Sequence, residues 1–184
     1  MPVSGPDQLS RERPDGRVAE WDEAFIGTDA DREKLPFVIA DRTPRSYRIE
    51  PTPVVATGPL TGLEMVVIAV EDIDEATRLF GRLYRLPTPR PVESDRFEAS
   101  LAVFPGSPVA FLAPRPGSTL EDRLTRFGES PCAYLIGTSD FEAALDRYPL
   151  ASVDNWDGRQ VAWFDTDPPV DRLGVIEQDA SEDR

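Results

Sequence analysis

Residues 62–84, GLEMVVIAVEDIDEATRLFGRLY, constrain this chain more than any other stretch because the hydrophobic period changes within a few residues. Met65-Val66-Val67-Ile68-Ala69-Val70 is rich in β-branched residues and too short for a globular helix, so it reads as a buried strand. Asp72 then stands where a carboxylate can accept the free N–H groups of a first helical turn, and Glu75 completes a capping-box pattern. Ile73, Ala76, Leu79, Phe80, Leu83 and Tyr84 follow at helical spacing, leaving Asp74, Glu75, Arg78 and Arg82 to water. Such a helix can pack back onto its own strand.

A weaker copy returns at residues 133–148. Asp72-Ile73-Asp74-Glu75-Ala76 and Asp140-Phe141-Glu142-Ala143-Ala144 share the order acid, large apolar, acid, any, alanine. Further on, Ser100-Leu101-Ala102-Val103-Phe104 matches Gln160-Val161-Ala162-Trp163-Phe164, again after a strand and a helix. Two matches in the same order predict a duplicated β-α-β-β unit.

The 184 residues suffice for one domain with an appendage. A net charge of −14, with 34 acids against 20 bases, disfavours nucleic-acid phosphates and anionic membranes, so neither is expected as a partner. Only Lys34 among the bases is a lysine, and the acids are spread along the chain, as in salt-adapted proteins. Screening by salt should therefore stabilise the fold. Cys132 is the single cysteine, which leaves no intrachain disulfide or cysteine zinc cluster and fits a reducing cytoplasm. No secretion signal or membrane span is expected from the polar start and the short apolar runs.

Residues 1–16 are polar and rich in Pro and Gly, and are expected to be a mobile arm. Residues 17–26 and 35–40 are expected to form a strand hairpin, followed by a proline-rich linker over 43–59. The main domain should span 60–178, with one module over 60–114 and a second over 118–178, and an acidic tail at 179–184. Within it, strands are expected at 96–104, 108–113, 133–138, 159–165 and 173–178, and helices at 119–127 and 141–148. The proline-rich run 86–91 is expected to be irregular.

This duplicated pattern, across residues 60–178, resembles the vicinal oxygen chelate superfamily, the glyoxalase, bleomycin-resistance and dioxygenase fold. Arg13-Pro14-Asp15-Gly16, Trp21 and Leu35-Pro36-Phe37-Val38-Ile39 resemble the segment that closes one module before another in larger glyoxalase-like proteins. The resemblance implies an α+β fold of two tandem βαββ(β) modules, cupped mixed sheets around a cavity, with an N-terminal β-hairpin extension that a homodimer would partner. It implies a small, partly apolar ligand and cavity candidates Met65, Val67, Ala110, Leu112, Ala133, Leu135, Trp163 and Glu177. The family's usual metal ligands fall on Met65, Ala110, Ala133 and Val175, or Gly174 with a one-residue slip. None is a good donor and the chain contains no histidine, so no metal and no cofactor are expected. The rival expectation is a metal-dependent lyase, isomerase or dioxygenase using Glu177 or Glu98. A third is a structural dimer whose cavity is filled by Met65, Leu112, Leu135 and Trp163.

Other chemistry has less support. Without histidine, no nucleophile paired with an imidazole base can be assembled, and Cys132 reads as a small buried group. No glycine-rich phosphate loop occurs in a strand-to-helix context. Asp157-Gly158 predicts a tight hairpin, beside which Trp156 and Trp163 could form a cavity wall with Asp154 or Asp165 as an acceptor.

Overall fold

The structure, a computed structural model, describes residues 1–32, 34–50, 58–165 and 172–178. The chain divides into two compact units, Met1–Ala56 and Thr57–Arg184. The acidic tail and most of the second half of the expected linker lie outside the described residues.

The first unit is an antiparallel sheet in the order β1 (Val3–Glu12), β2 (Val18–Ile26), β3 (Val38–Asp41), followed by one helical turn, α1 (Arg45–Arg48). The expected mobile arm is thus strand β1, paired with β2 from Val3↔Ile26 to Glu12↔Val18. The two are joined by a turn in which the Arg13 N–H donates to Arg17 O (2.8 Å) and the Gly16 N–H to Arg13 O (2.9 Å). Every β1 side chain is exposed, so the strand is held by its backbone ladder and carries no apolar alternation to betray it. Pro6, which has no N–H to give, falls at the register shift between Ser4 and Asp7.

The second unit contains the duplication. Its first module runs β4 (Leu60–Ala69), α2 (Ile73–Tyr84), β5 (Arg90–Ser94), β6 (Ala99–Val103) and β7 (Val109–Pro114). Helix α3 (Thr119–Phe127) leads into the second: β8 (Ser130–Thr138), α4 (Phe141–Arg147), β9 (Leu150–Trp156), β10 (Arg159–Phe164) and β11 (Arg172–Glu177). All eight strands form one mixed sheet, β5-β6-β7-β4-β8-β11-β10-β9, curled into a nearly closed cup. In each module the first strand pairs in parallel with the last, and β4 meets β8 antiparallel at the centre. Each module thus has three strands after its helix.

The local signals act as their chemistry requires. Asp72 Oδ1 accepts from the Glu75 N–H at 2.9 Å and Asp140 Oδ1 from the Ala143 N–H at 3.0 Å, so both modules start their helices with the same carboxylate cap. Ser118 caps α3 through the Glu121 N–H. Asp157 and Gly158, with φ of 54° and 86°, form the two-residue turn between β9 and β10. Two strands differ from expectation. β5 begins at Arg90, inside the proline-rich run 86–91 expected to be irregular, and the strand expected over 96–104 begins only at Ala99, after a turn through Glu98 at φ 47°. β9 was not given as a strand, although Asp157-Gly158 predicts a hairpin there; like β5 it is an end strand of mostly exposed residues.

The sheet separates two apolar layers. On its outer face Phe111 packs edge-on against Phe80 of α2 (4.8 Å) and Phe104 (5.0 Å). On its inner face Met65, Val67, Leu101, Leu112, Leu135, Trp156, Trp163 and Ile176 form one cluster, joined by Leu120 and Leu124 of α3. Among the described residues no helix is long and apolar enough to cross a membrane.

Candidate functional site

The inner face of the cup is filled. Met65, Val67, Ala110, Leu112, Ala133 and Leu135 are fully buried and Trp163 is 1 % exposed, so seven of the eight expected cavity residues are packed against one another. Three rings complete the packing: Phe97 meets Trp163 edge-on at 5.0 Å, Trp156 lies 5.6 Å from Trp163, and Phe97 lies 6.1 Å from Trp156. Large aromatic side chains thus occupy the space that a cavity between these residues would need. Trp163 does have an acceptor, Asp154 Oδ2 at 3.1 Å, but that carboxylate serves the indole N–H.

The eighth candidate, Glu177, stands elsewhere. Along β11 side chains alternate, and Gly174 and Ile176 face inward: a Cβ on Gly174 would lie 2.8 Å from Leu135 Cδ2 and 2.9 Å from Trp163 Cε3. Val175 and Glu177 therefore face outward, and Glu177 Oε2 accepts the Gln160 N–H at 3.3 Å. Glu98 is exposed in its turn. Of the two alternatives Val175 and Gly174, Gly174 is the one that faces inward. The inward set Met65, Ala110, Ala133 and Gly174 offers no side-chain oxygen, nitrogen or thiolate, and does not fit a divalent cation.

Polar chemistry gathers instead in a cleft of about 40 Å³ lined by Phe97, Thr119, Leu120, Arg123, Cys132 and Arg172. Arg172 opens β11 opposite Ala133, on the inward parity of Gly174 and Ile176. Its guanidinium lies over the Phe97 ring, 4.1 Å from the centroid. Burial holds this guanidinium below the usual arginine value; the like charge of Arg96 acts in the same direction, and Cys132 opposes it. Arg96 itself sits 5.4 Å from the Trp163 ring centre. Arg123 projects from α3, donating to Pro131 O at 2.6 Å and Ser130 Oγ at 3.3 Å, which fixes its head beside the start of β8. Cys132 lies where the β4–β8 register shifts between Val67↔Ala133 and Ile68↔Pro131, and this irregularity brings its thiol to the cleft.

Of these six residues, the sequence singles out Cys132, as a small buried group. It does not single out Arg172 or Arg123. Arg172 carried a usable signal, because Arg172, Gly174 and Ile176 alternate, but the strand had been expected to start one residue later. The first unit has its own cleft, about 410 Å³, lined by Arg11, Arg13, Tyr47, Arg48 and Glu50 among others. Its arginines are already engaged: Arg13 with Glu50 at 2.8 Å, Arg48 with Asp41 at 2.7 Å, and Arg11 with Arg48 O at 3.1 Å.

No family model matches the chain, and no curated protein matches it. Solved structures do. A methylmalonyl-CoA epimerase from Mycobacterium tuberculosis superposes with a TM-score of 0.53 at 18% identity, covering 67% of this chain and 91% of its own. A variant of the Streptomyces coelicolor methylmalonyl-CoA epimerase, in complex with 2-nitronate-propionyl-CoA, gives 0.51 at 16% identity, covering 66% and 99%. Another methylmalonyl-CoA epimerase, in complex with methylmalonyl-CoA and NH4+, gives 0.50 at 15% identity, covering 66% and 96%. These neighbours have the vicinal oxygen chelate fold, and at such identities the likeness is one of fold.

Proposed function

We propose that this chain binds a small, partly apolar molecule at the cleft between α3, β8 and β11, on a cup whose interior is filled and whose inward positions hold no divalent metal. One observation carries this: Arg172 and Arg123 border open space beside Phe97 and Leu120, whereas Met65, Leu112, Leu135, Trp156 and Trp163 close the interior. An apolar wall with a few fixed polar groups is the usual composition of a small-molecule site. The fold's likeness to proteins solved with acyl-CoA ligands is consistent with ligand binding on this scaffold. The donor set of Met65, Ala110, Ala133 and Gly174 argues against Lewis-acid chemistry there.

The test is a thermal melt in molar potassium chloride and at low salt, with manganese, zinc, nickel and a panel of aromatic and keto-acid compounds. A ligand of the native state raises the midpoint by mass action. A rise with an organic compound, accompanied by shifts of the Leu120, Cys132 and Arg172 amide resonances, supports the proposal. A rise with one metal at micromolar concentration would overturn its metal-free part. The filled interior also favours a second reading, a structural protein whose dimer surface is the functional part. Silence towards every compound, with a dimer seen in sedimentation, would favour that.

A further inference from the structure

We infer that the cleft takes an organic acid by its carboxylate, with Arg172 and Arg123 gripping the carboxylate and Phe97 and Leu120 covering the adjoining apolar group. This rests on the binding role proposed above and names the class of ligand.

The starting point is two arginines without a carboxylate partner among the described residues, in a chain where carboxylates are abundant. The chain has 34 acids for 20 bases, and many of its described arginines sit on carboxylates: Arg42 on Asp22, Arg90 on Asp157, Arg115 on Glu93 and Asp95, Arg159 on Glu64. Arg172 and Arg123 have no carboxylate partner among the described residues. Arg172 is half-buried and rests on a ring, which accommodates a cation without neutralising it. A cation partly withdrawn from water, with no carboxylate beside it among the described residues, is an unfavourable arrangement that a bound anion relieves.

Geometry selects the kind of anion. A guanidinium presents parallel N–H donors that match the two oxygens of a planar carboxylate. Arg123 spends donors on Pro131 O and Ser130 Oγ, so its remaining N–H groups are held in place, and Thr119 adds a hydroxyl to the lining. The cleft of about 40 Å³ has room for about three waters, at roughly 10–15 Å³ each, and so for a carboxylate in their place. Phe97 and Leu120, 2 % and 6 % exposed, give the cleft an apolar wall, so the rest of the acid should be apolar near the carboxylate.

Binding of benzoate and butyrate is compared by calorimetry with that of benzamide and butyramide, on the full chain, alongside chloride and sulfate. The acids are expected to bind about tenfold or more tightly than the amides, the difference that one charge-assisted grip confers. Arg172→Met should abolish that preference, while Arg96→Met, at an exposed neighbour, should leave most of it. Should Arg172→Met fail to fold by circular dichroism, Arg172→Lys and Arg123→Met are measured instead, each expected to reduce the preference. Bound benzoate should also slow alkylation of Cys132, which locates it in this cleft. Acid and amide binding equally, with Cys132 protected by both, overturns the carboxylate inference and leaves the binding role standing. Chloride or sulfate protecting as well as benzoate overturns it in favour of a bare anion site. No binding and no protection by any of them overturns both.

Discussion

The Trp163 indole N–H donates to Asp154 Oδ2 at 3.1 Å, joining β10 to the end strand β9 behind the filled interior of the cup. Trp163 is almost wholly buried, so this carboxylate satisfies a donor that water cannot reach. Asp154→Ala should cost about 1–3 kcal/mol in urea unfolding, the penalty for stranding a buried polar group. Asp154→Asn keeps an acceptor and should cost less. Equal stability of the alanine variant and the parent would show that the indole does not depend on Asp154.

Gly174 reports on whether the interior is closed. A methyl there would meet Ala162 O and Leu135 Cδ2 at 2.8 Å and Trp163 Cε3 at 2.9 Å. Gly174→Ala is therefore expected to destabilise by about 1–3 kcal/mol, as overpacking does. An unchanged melting midpoint would mean that this layer holds spare volume.

The duplication can be tested through its caps. Asp72→Ala and Asp140→Ala each remove one carboxylate from a helix start, and each should cost about 0.5–2 kcal/mol, while the corresponding Asn variants should be close to neutral. Denaturant midpoints that move for only one of the pair would show that the two helix starts are not equivalent.

Glu93 gives a pH dependence with a defined sign. Arg115 donates to its Oε2 at 2.8 Å and Ser100 to its Oε1 at 3.0 Å, and these bonds hold its carboxyl below the ordinary glutamate value of 4.5. The stability they add is fully present above that value and is lost as the pH falls through the lower, folded one. The parent should exceed Glu93→Gln in stability at neutral pH by a small margin, because the pair is exposed, and the margin should close in acid. A margin unchanged down to pH about 2 would contradict the assignment.

Salt should stabilise the whole chain. With a net charge of −14, repulsion among carboxylates is relieved as the screening length shortens, so the melting midpoint should rise from low salt to molar potassium chloride. A fall would place the local ion pairs above the overall repulsion.

Much of the fold was legible because its signals are carried by near neighbours in the chain. The valine-rich run of β4, the Asp72 cap and the Asp157-Gly158 turn each act within a few residues, and the return of the Asp72–Ala76 and Ser100–Phe104 patterns at Asp140–Ala144 and Gln160–Phe164 exposed the two modules. The weak donor character of Met65, Ala110 and Ala133 was equally a matter of residue type. The strands β1, β5 and β9 were not legible, because outlying strands are held by backbone hydrogen bonds and need no apolar pattern.

The sequence by itself determined the duplicated strand-and-helix units and the absence of histidine. Tertiary structure alone decided that the cup is filled, that Gly174 rather than Glu177 faces inward, and that Phe97, Arg123, Cys132 and Arg172 share one cleft. The reason is physical. A side chain's face on a strand changes with a one-residue shift of register, and register is set by pairing with strands distant in the chain. Whether a concavity stays open then depends on whether the rings of Phe97, Trp156 and Trp163, brought from two modules, meet inside it.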